Sequence, residues 1–424
     1  MKTRSLAAIP SSLRRLNERA VLRRLRRLGT ASRASLAKEA GISPPTAGKI
    51  IDELLAFGLI EELGEDTEDR TSDGAGTPRL GRPGRLLRLD GIRPRFVGIE
   101  LGVEQTRISA LPLAVGDDTV CAAAFETGRA PETWARRLRQ HAAAVSGDSL
   151  WGVLASVPGV VDETAGRVLY SPNLHWTERA QLVELIRLAW PLPVLLVQEI
   201  RALALGHLAA EPETEDFLLV DFGEGVGGAV IEGGQLLSHP LPLGAELGHT
   251  PVRGNLRLCG CGARGCVETL LSRRGLAESF GAANPAGNLA DTIALRGLPA
   301  WLSDALDAMG TIIAGALNVL GLRRVVITGH LTELPPVVLA TLADAVRRGA
   351  MWARFGEVVC TAAPRRRLAG LVAAGIDRLL FPAAGNGSLH VAARHRMAQT
   401  ARQQRRTRLS NRSRAVVKTL CHAD

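Results

Sequence analysis

Between Asn17 and Leu28, apolar side chains fall at Val21, Leu22, Leu25 and Leu28, and Arg23, Arg24, Arg26 and Arg27 take the positions between them. That spacing predicts an amphipathic helix. Ser32 is placed to cap a short second helix carrying Leu36, Ala37 and Ala40, and Gly41 offers a turn that accepts a positive φ. Ser43 followed by Pro44 opens a third helix through Ile50, Ile51, Leu54, Leu55 and Phe57, ending at Gly58. Two strand-like pieces, Ile60–Leu63 and Leu86–Leu89, flank a polar stretch rich in Gly, Asp and Thr. The order predicts a helix-turn-helix followed by a wing.

Further along, the pattern changes to apolar runs separated by glycine turns. Phe217–Phe222 reads as a strand running into Gly223, Gly225, Gly227 and Gly228 and then into a second apolar run, so a hairpin is expected. Glycines in such a turn can present backbone N–H groups to an anion; a tight hairpin with no ligand explains them equally well. The apolar segment Met309–Leu320 precedes a strand at Arg324–Gly329. Alternation of this kind predicts an α/β body.

At 424 residues, with 46% apolar and 22% charged side chains, the chain has room for two or three globular domains and a large core. It contains no apolar run of the roughly 18 residues that span a membrane, and its first residues carry no apolar signal-peptide core. A soluble cytoplasmic protein without a membrane partner is expected. Charge is unevenly spread: residues 1–90 hold 17 basic and 12 acidic side chains, residues 91–381 hold 26 and 29, and residues 382–424 hold 9 and 1. A basic module therefore precedes a near-neutral body, and nucleic acid is the first partner to consider. The third helix would enter the major groove, which makes Thr46 and Lys49 the contact candidates, with Arg33 and Ser43 beside them. Arg82, within Gly81–Gly84, would approach the minor groove from the wing. The basic tail reads as a disordered extension that either adds unspecific phosphate attraction or has no role.

Six cysteines are too few for a disulfide framework, yet Cys259, Cys261 and Cys266 lie close together and follow His249. One imidazole and three thiolates fill a tetrahedral zinc site and leave no open position, so a structural Zn²⁺ is expected.

Several stretches resemble the ROK family of transcriptional repressors and sugar kinases. Asn17 to Leu25, Ser32 to Ala37, the helix from Ser43 and Gly81-Arg82-Pro83 are similar to the repressors' winged DNA-binding domain. Val157 to Asp162, Ser171 to Trp176, Gly244 to His249 and Cys259 to Glu268 are similar to motifs of the body, in the family's order. The resemblance implies a winged helix-turn-helix at 13–90, a two-lobed actin-like body at 91–381 with a sugar between the lobes, and a basic tail at 382–424. It also implies a homodimer or homotetramer. Carried over by position, Glu246, His249 and Glu268 would contact sugar hydroxyls, with Asn173, Gln198 and Glu199 lining the same cleft.

Two departures bear on activity. Where the family's kinases have Asp-x-Gly-x-Thr, this chain has Glu100 to Thr106 with Glu104 inside it, and negative charge there opposes a polyphosphate. Where the kinases carry Asn-Asp near the sugar, Gln198 and Glu199 stand, each one methylene longer, so Glu199 occupies a vestigial base position. The expectation is no catalytic residue, no ATP and no enzyme, but a sugar-responsive repressor of carbohydrate genes that binds double-stranded operator DNA and a sugar or sugar-phosphate effector. An ATP-dependent sugar kinase and a DNA-binding regulator with a vestigial sugar site remain the alternatives.

Overall fold

The structure, a computed structural model, describes residues 10–65, 85–116, 119–211, 216–237, 244–283, 288–381 and 399. Helix α1 (Pro10–Leu28) begins well ahead of the predicted Asn17 and buries Val21, Leu22 and Leu25. After β1 (Thr30–Ser32) comes α2 (Arg33–Glu39), whose first turn is held by Ser32: its side chain accepts from the Ser35 N–H at 3.2 Å. Helix α3 (Pro44–Phe57) packs Ala47, Ile50, Ile51 and Leu54 inward and stops at Gly58, φ 70°. Ser43 sits at its cap position but makes no capping bond. Pro44 and Pro45 remove the first two N–H donors, and the Ser43 hydroxyl instead meets Thr46 Oγ1 at 2.8 Å. Strands β2 (Ile60–Glu65) and β3 (Arg85–Leu89) join β1 in an antiparallel sheet of order β1-β3-β2. Arg82 and the rest of 66–84 lie outside the described residues, as does the tail apart from Gln399.

The body has two five-stranded sheets of identical plan. In the first, β4 (Phe96–Leu101), β5 (Gln105–Leu111) and β6 (Cys121–Glu126) form an antiparallel meander. Helix α4 (Pro131–His141) then leads to β7 (Gly152–Val157), which adds parallel to β4. A small hairpin of β8 (Val160–Asp162) and β9 (Arg167–Tyr170) and helix α5 (Leu182–Arg187) precede β10 (Val194–Gln198), parallel to β7, and α6 (Glu199–Ala210). In the second sheet β11 (Phe217–Phe222), β12 (Val226–Glu232) and β13 (Gln235–Leu236) repeat the meander, so the expected hairpin forms. Helices α7 (Glu268–Leu271), α8 (Arg273–Ala283), α9 (Leu289–Arg296) and α10 (Ala300–Leu320) follow. Then β14 (Arg324–Gly329), α11 (Pro336–Gly349) and β15 (Val359–Ala362) complete the parallel side.

The chain crosses back to the first lobe in α12 (Arg367–Ala374), which continues as a π-helix, Gly375–Leu380. Helices α6 and α12 meet backbone to backbone: a Cβ on Gly370 would lie 1.7 Å from the Ala202 carbonyl, and one on Gly206 1.9 Å from that of Arg366. The N-terminal core is continuous with the first lobe through Leu87, Phe96, Trp151, Leu371 and Phe381. Arg95 sits fully buried at that seam, donating to the Gly58 carbonyl at 3.2 Å and to Asp90 at 3.3 Å, with its guanidinium 4.4 Å from the Trp151 ring centre. Among the described residues no helix is long and apolar enough to cross a membrane.

Candidate functional site

A cleft of about 460 Å³ opens between the two sheets. Asn173, Gln198, Glu199, Glu246, His249 and Glu268 all line it, although they come from four separate stretches of the chain. Glu246 follows Ala245, whose φ of 61° is the left-handed conformation that side chains with a Cβ resist. Burial pushes the Glu246 carboxyl above the usual range, with His249 opposing and Glu268 reinforcing the shift.

The Cys/His group is compact: one donor atom from each of His249, Cys259, Cys261 and Cys266 lies within 4.8 Å of all the others. Cys259 Sγ is 3.6 Å from His249 Nδ1, and Cys261 Sγ is 3.7 Å from Cys266 Sγ. With Zn–S near 2.3 Å, a tetrahedral Zn²⁺ separates two sulfurs by about 3.8 Å, so the donor set fits the ion. The other ring nitrogen of His249, Nε2, faces Glu246 Oε2 at 3.9 Å. Glu268 is fixed nearby, with Oε2 accepting from the Val226 N–H at 2.9 Å and Oε1 3.7 Å from Cys259 Sγ. The loop also reaches the opposite lobe. Tyr170, the only tyrosine in the sequence, donates to the Gly260 carbonyl at 2.8 Å.

The other end of the cleft is bordered by a network of ion pairs. Arg365 donates to Glu199 at 3.0 Å and to Asp221 at 2.8 Å, and Arg367 donates to Glu100 at 2.8 Å and also to Glu199. Thr328 donates to the second oxygen of Asp221 at 2.8 Å. Burial pushes Asp221 up, Arg365 pulls it back and Glu199 pushes it up again. The glycine turn 223–225 is occupied from within: Arg365 lies 2.8 Å from where a Gly223 Cβ would be, and Glu268 2.7 Å from that of Gly225. Glu100 and Glu199, which sequence reasoning had singled out, are thus tied into one ionic lattice. Arg365, Arg367, Asp221 and Tyr170 were missed. The run Arg365-Arg366-Arg367 was a visible signal, but its partner Glu100 is 267 positions away.

On the N-terminal module, Thr46 and Lys49 are exposed on α3, and Ser43 is exposed at its start. Arg33 lies beside them but is engaged within the module, to Asp52 at 2.7 Å and Glu62 at 3.2 Å.

A family model described as "ROK family" matches residues 116–375. The chain belongs to the ROK family. Among its ROK relatives, the N-acetylglucosamine repressor of Shigella flexneri is 24% identical over 381 residues, covering 80% of this chain and 86% of that protein. A solved ROK family transcriptional regulator, described as a homologue of the E. coli MLC protein, matches 92% of this chain and 100% of its own with a TM-score of 0.67 at 18% identity. A ROK glucokinase from Streptomyces griseus, solved with glucose and AMPPNP, matches 66% of this chain and 97% of its own with a TM-score of 0.54 at 22% identity. These likenesses give the α/β fold with its two-lobed, kinase-like body, and the helices ahead of it are consistent with a helix-turn-helix.

Proposed function

We propose that the protein is a sugar-responsive DNA-binding transcriptional regulator, acting as a repressor of carbohydrate genes. Residues 13–90 would form the winged helix-turn-helix, 91–381 the sugar-binding body and 382–424 a basic extension. The observation that carries this reading is the extent of similarity. The solved regulator is matched over 92% of this chain, more than the body and tail together hold, whereas the glucokinase is matched over 66%, about the body's length.

In the sugar-binding half, Glu246, Glu268 and the Nε2 face of His249 offer acceptors and a ring nitrogen to sugar hydroxyls, with Asn173 and Gln198 across the cleft. A Zn²⁺ held by His249 Nδ1 and the thiolates of Cys259, Cys261 and Cys266 would supply the positive charge that keeps three thiolates together. The residues around it then fix the ring of His249 and the carboxylate of Glu268. Arg365 and Arg367 hold Glu199 in ion pairs, away from the role of a free base. This supports a binding protein without ATP and without phosphoryl transfer.

On the DNA side, exposed Thr46 and Lys49 would enter the major groove, with Ser43 at the helix start and Arg82 from the wing. Arg33, already paired with Asp52 and Glu62, would orient α2 and α3 rather than take a phosphate. A two-fold operator calls for a homodimer or homotetramer. Sugar binding would change DNA affinity by the free energy it distributes between two arrangements, about 1–3 kcal/mol in typical allostery.

The test is a thermal-shift screen of the zinc-loaded chain against neutral sugars, amino sugars, their phosphates and ATP. A ligand that binds the native state raises the melting temperature progressively above its Kd. A shift with one sugar class and none with ATP supports the reading; a shift with ATP accompanied by sugar-dependent ADP release overturns it.

A further inference from the structure

Two helices connect the cleft to the DNA-binding module without a flexible joint. Helix α6 starts in the cleft: Gln198 is its cap and Glu199 its first residue. Helix α12 also starts there, with Arg367 on Glu100 and Glu199. The backbone contacts at Gly206 and Gly370 exclude even a methyl group between the two, so neither helix can slide on the other without a clash. Arg366, the residue before α12, is further tied to Glu211, just past the end of α6, at 3.3 Å.

At its far end α12 becomes a π-helix, a rare form that recurs at functional positions. It carries two adjacent charged residues facing different parts of the molecule. Asp377, largely buried, accepts from Arg19 at 3.1 Å and from Arg23 at 2.7 Å, both on α1. Burial alone would raise the Asp377 carboxyl, yet Arg23, Arg19 and Arg26 hold it below its usual value. Arg378 donates to Glu163, whose other oxygen accepts from the Gln198 N–H at 2.8 Å and lies 3.4 Å from Arg201. One carboxylate therefore ties the cleft end of α6 to the residue next to the one that grips α1.

We propose that the α6–α12 pair, through Glu163, Arg378 and Asp377, is the element that couples the state of the cleft to the docking of α1. A ligand that moves Gln198 or Glu199 shifts the start of α6, the shift passes to Glu163 and to α12, and the Asp377 contacts to Arg19 and Arg23 tighten or loosen. Glu163, Asp377 and Arg378 are positioning residues: they touch neither sugar nor DNA. This regulation rests on the reading of the cleft and the module as linked sites.

The experiment is amide hydrogen exchange on the full zinc-loaded chain with neither sugar nor DNA added, comparing wild type, Glu163→Gln, Asp377→Asn and the double variant. Asp377→Asn should speed exchange in the part of α1 from Arg19 to Leu28 by about tenfold, the size expected when an ion pair with partly exposed arginines is lost. Glu163→Gln, changed far from α1 in sequence, should speed the same amides, while α11 in the second lobe keeps its wild-type rate. The double variant should match Asp377→Asn, because both act along one path. Unchanged α1 exchange in Glu163→Gln, or effects that simply add in the double variant, would overturn the proposal. Should Glu163→Gln fail to fold, Glu199→Gln, which removes one of the two carboxylate partners of Arg367 at the start of α12, takes its place with the same expected pattern and the same contradicting one. No sugar or DNA enters the measurement, so its failure leaves the regulator reading intact. A chain that shows this coupling but no DNA preference would sink that reading instead.

Discussion

The two ends of the cleft hold similar carboxylates in opposite circumstances. At one end Glu246 lines the cleft beside His249 with its carboxyl raised by burial, while Glu268 beside it is held by the Val226 N–H. At the other end Glu100, Glu199 and Asp221 are each bound to Arg365 or Arg367. A carboxylate with acceptor positions still open can take hydroxyl donors, whereas one paired with guanidinium groups already has much of its acceptor capacity filled. On the proposed reading, the first end would take the sugar and the second would be occupied by the chain's own ion pairs.

The largest expected effect tests what supports the first end. Cys266→Ser should remove bound zinc, measured as metal per chain, and cost roughly 3–5 kcal/mol of stability, because a buried ligand of a closed site is lost. Unchanged metal content in that variant would break the comparison at its better-defined end.

Next is the ion-paired end. Arg365→Ala leaves Asp221 buried and Glu199 half-paired, and it should cost about 2–3 kcal/mol in urea unfolding, reduced from the fully buried case because Arg365 is partly exposed. Arg365→Lys should recover part of the loss, since it restores charge but not the two-pronged donor geometry. Full stability in Arg365→Ala would mean the lattice is ornamental.

Glu246→Gln separates sugar binding from everything else. It should weaken the sugar found by the thermal-shift screen by about 10- to 100-fold, the cost of one charged hydrogen-bond partner, and leave DNA affinity without sugar unchanged. A sugar response equal to wild type would remove Glu246 from the site.

A smaller effect lies beyond the cleft, at the seam. The Asp377 carboxyl is held below its unfolded value near 3.8, so its contribution is complete above that value and is lost as pH falls through the lower folded value. Wild type should exceed Asp377→Asn by about 1 kcal/mol at pH 6, and the gap should close as pH falls below 4. A gap independent of pH would contradict the ion-pair origin. The smallest effect is at the exposed reading helix. Lys49→Ala should weaken DNA binding about fivefold for every sequence and reduce the salt slope by about one. A sequence-specific loss would instead make Lys49 a base contact.

Much of this was legible from local pattern. The three N-terminal helices, the 217–232 hairpin and the strand at 324–329 follow from periodicity and turn residues, because each is decided by neighbours within a few positions. The Cys/His group was legible too, since three of its four donors lie within one short loop. Arg365 and Arg367 were not, for they act on carboxylates more than a hundred positions earlier and look like surface charge until the lobes are assembled. Asp377 was hidden for the same reason, its partners being some 350 positions upstream. Ser43 shows the limit even of local reading: a good capping residue makes no cap here, since Pro45 removes one of the donors it could serve and its hydroxyl meets Thr46 Oγ1 instead.

The central claim is that one chain joins a sugar-binding cleft to a DNA-reading module. The measurement that meets it most directly is fluorescence anisotropy of the zinc-loaded protein on its own upstream DNA, against random duplex of the same length at about 150 mM salt, with the sugar from the thermal-shift screen titrated in. The account predicts a preference for the upstream DNA of at least about 100-fold and a change of roughly 5- to 150-fold in that affinity when the sugar saturates. Equal affinity for both duplexes, or a specific complex indifferent to a sugar that demonstrably binds, would contradict it.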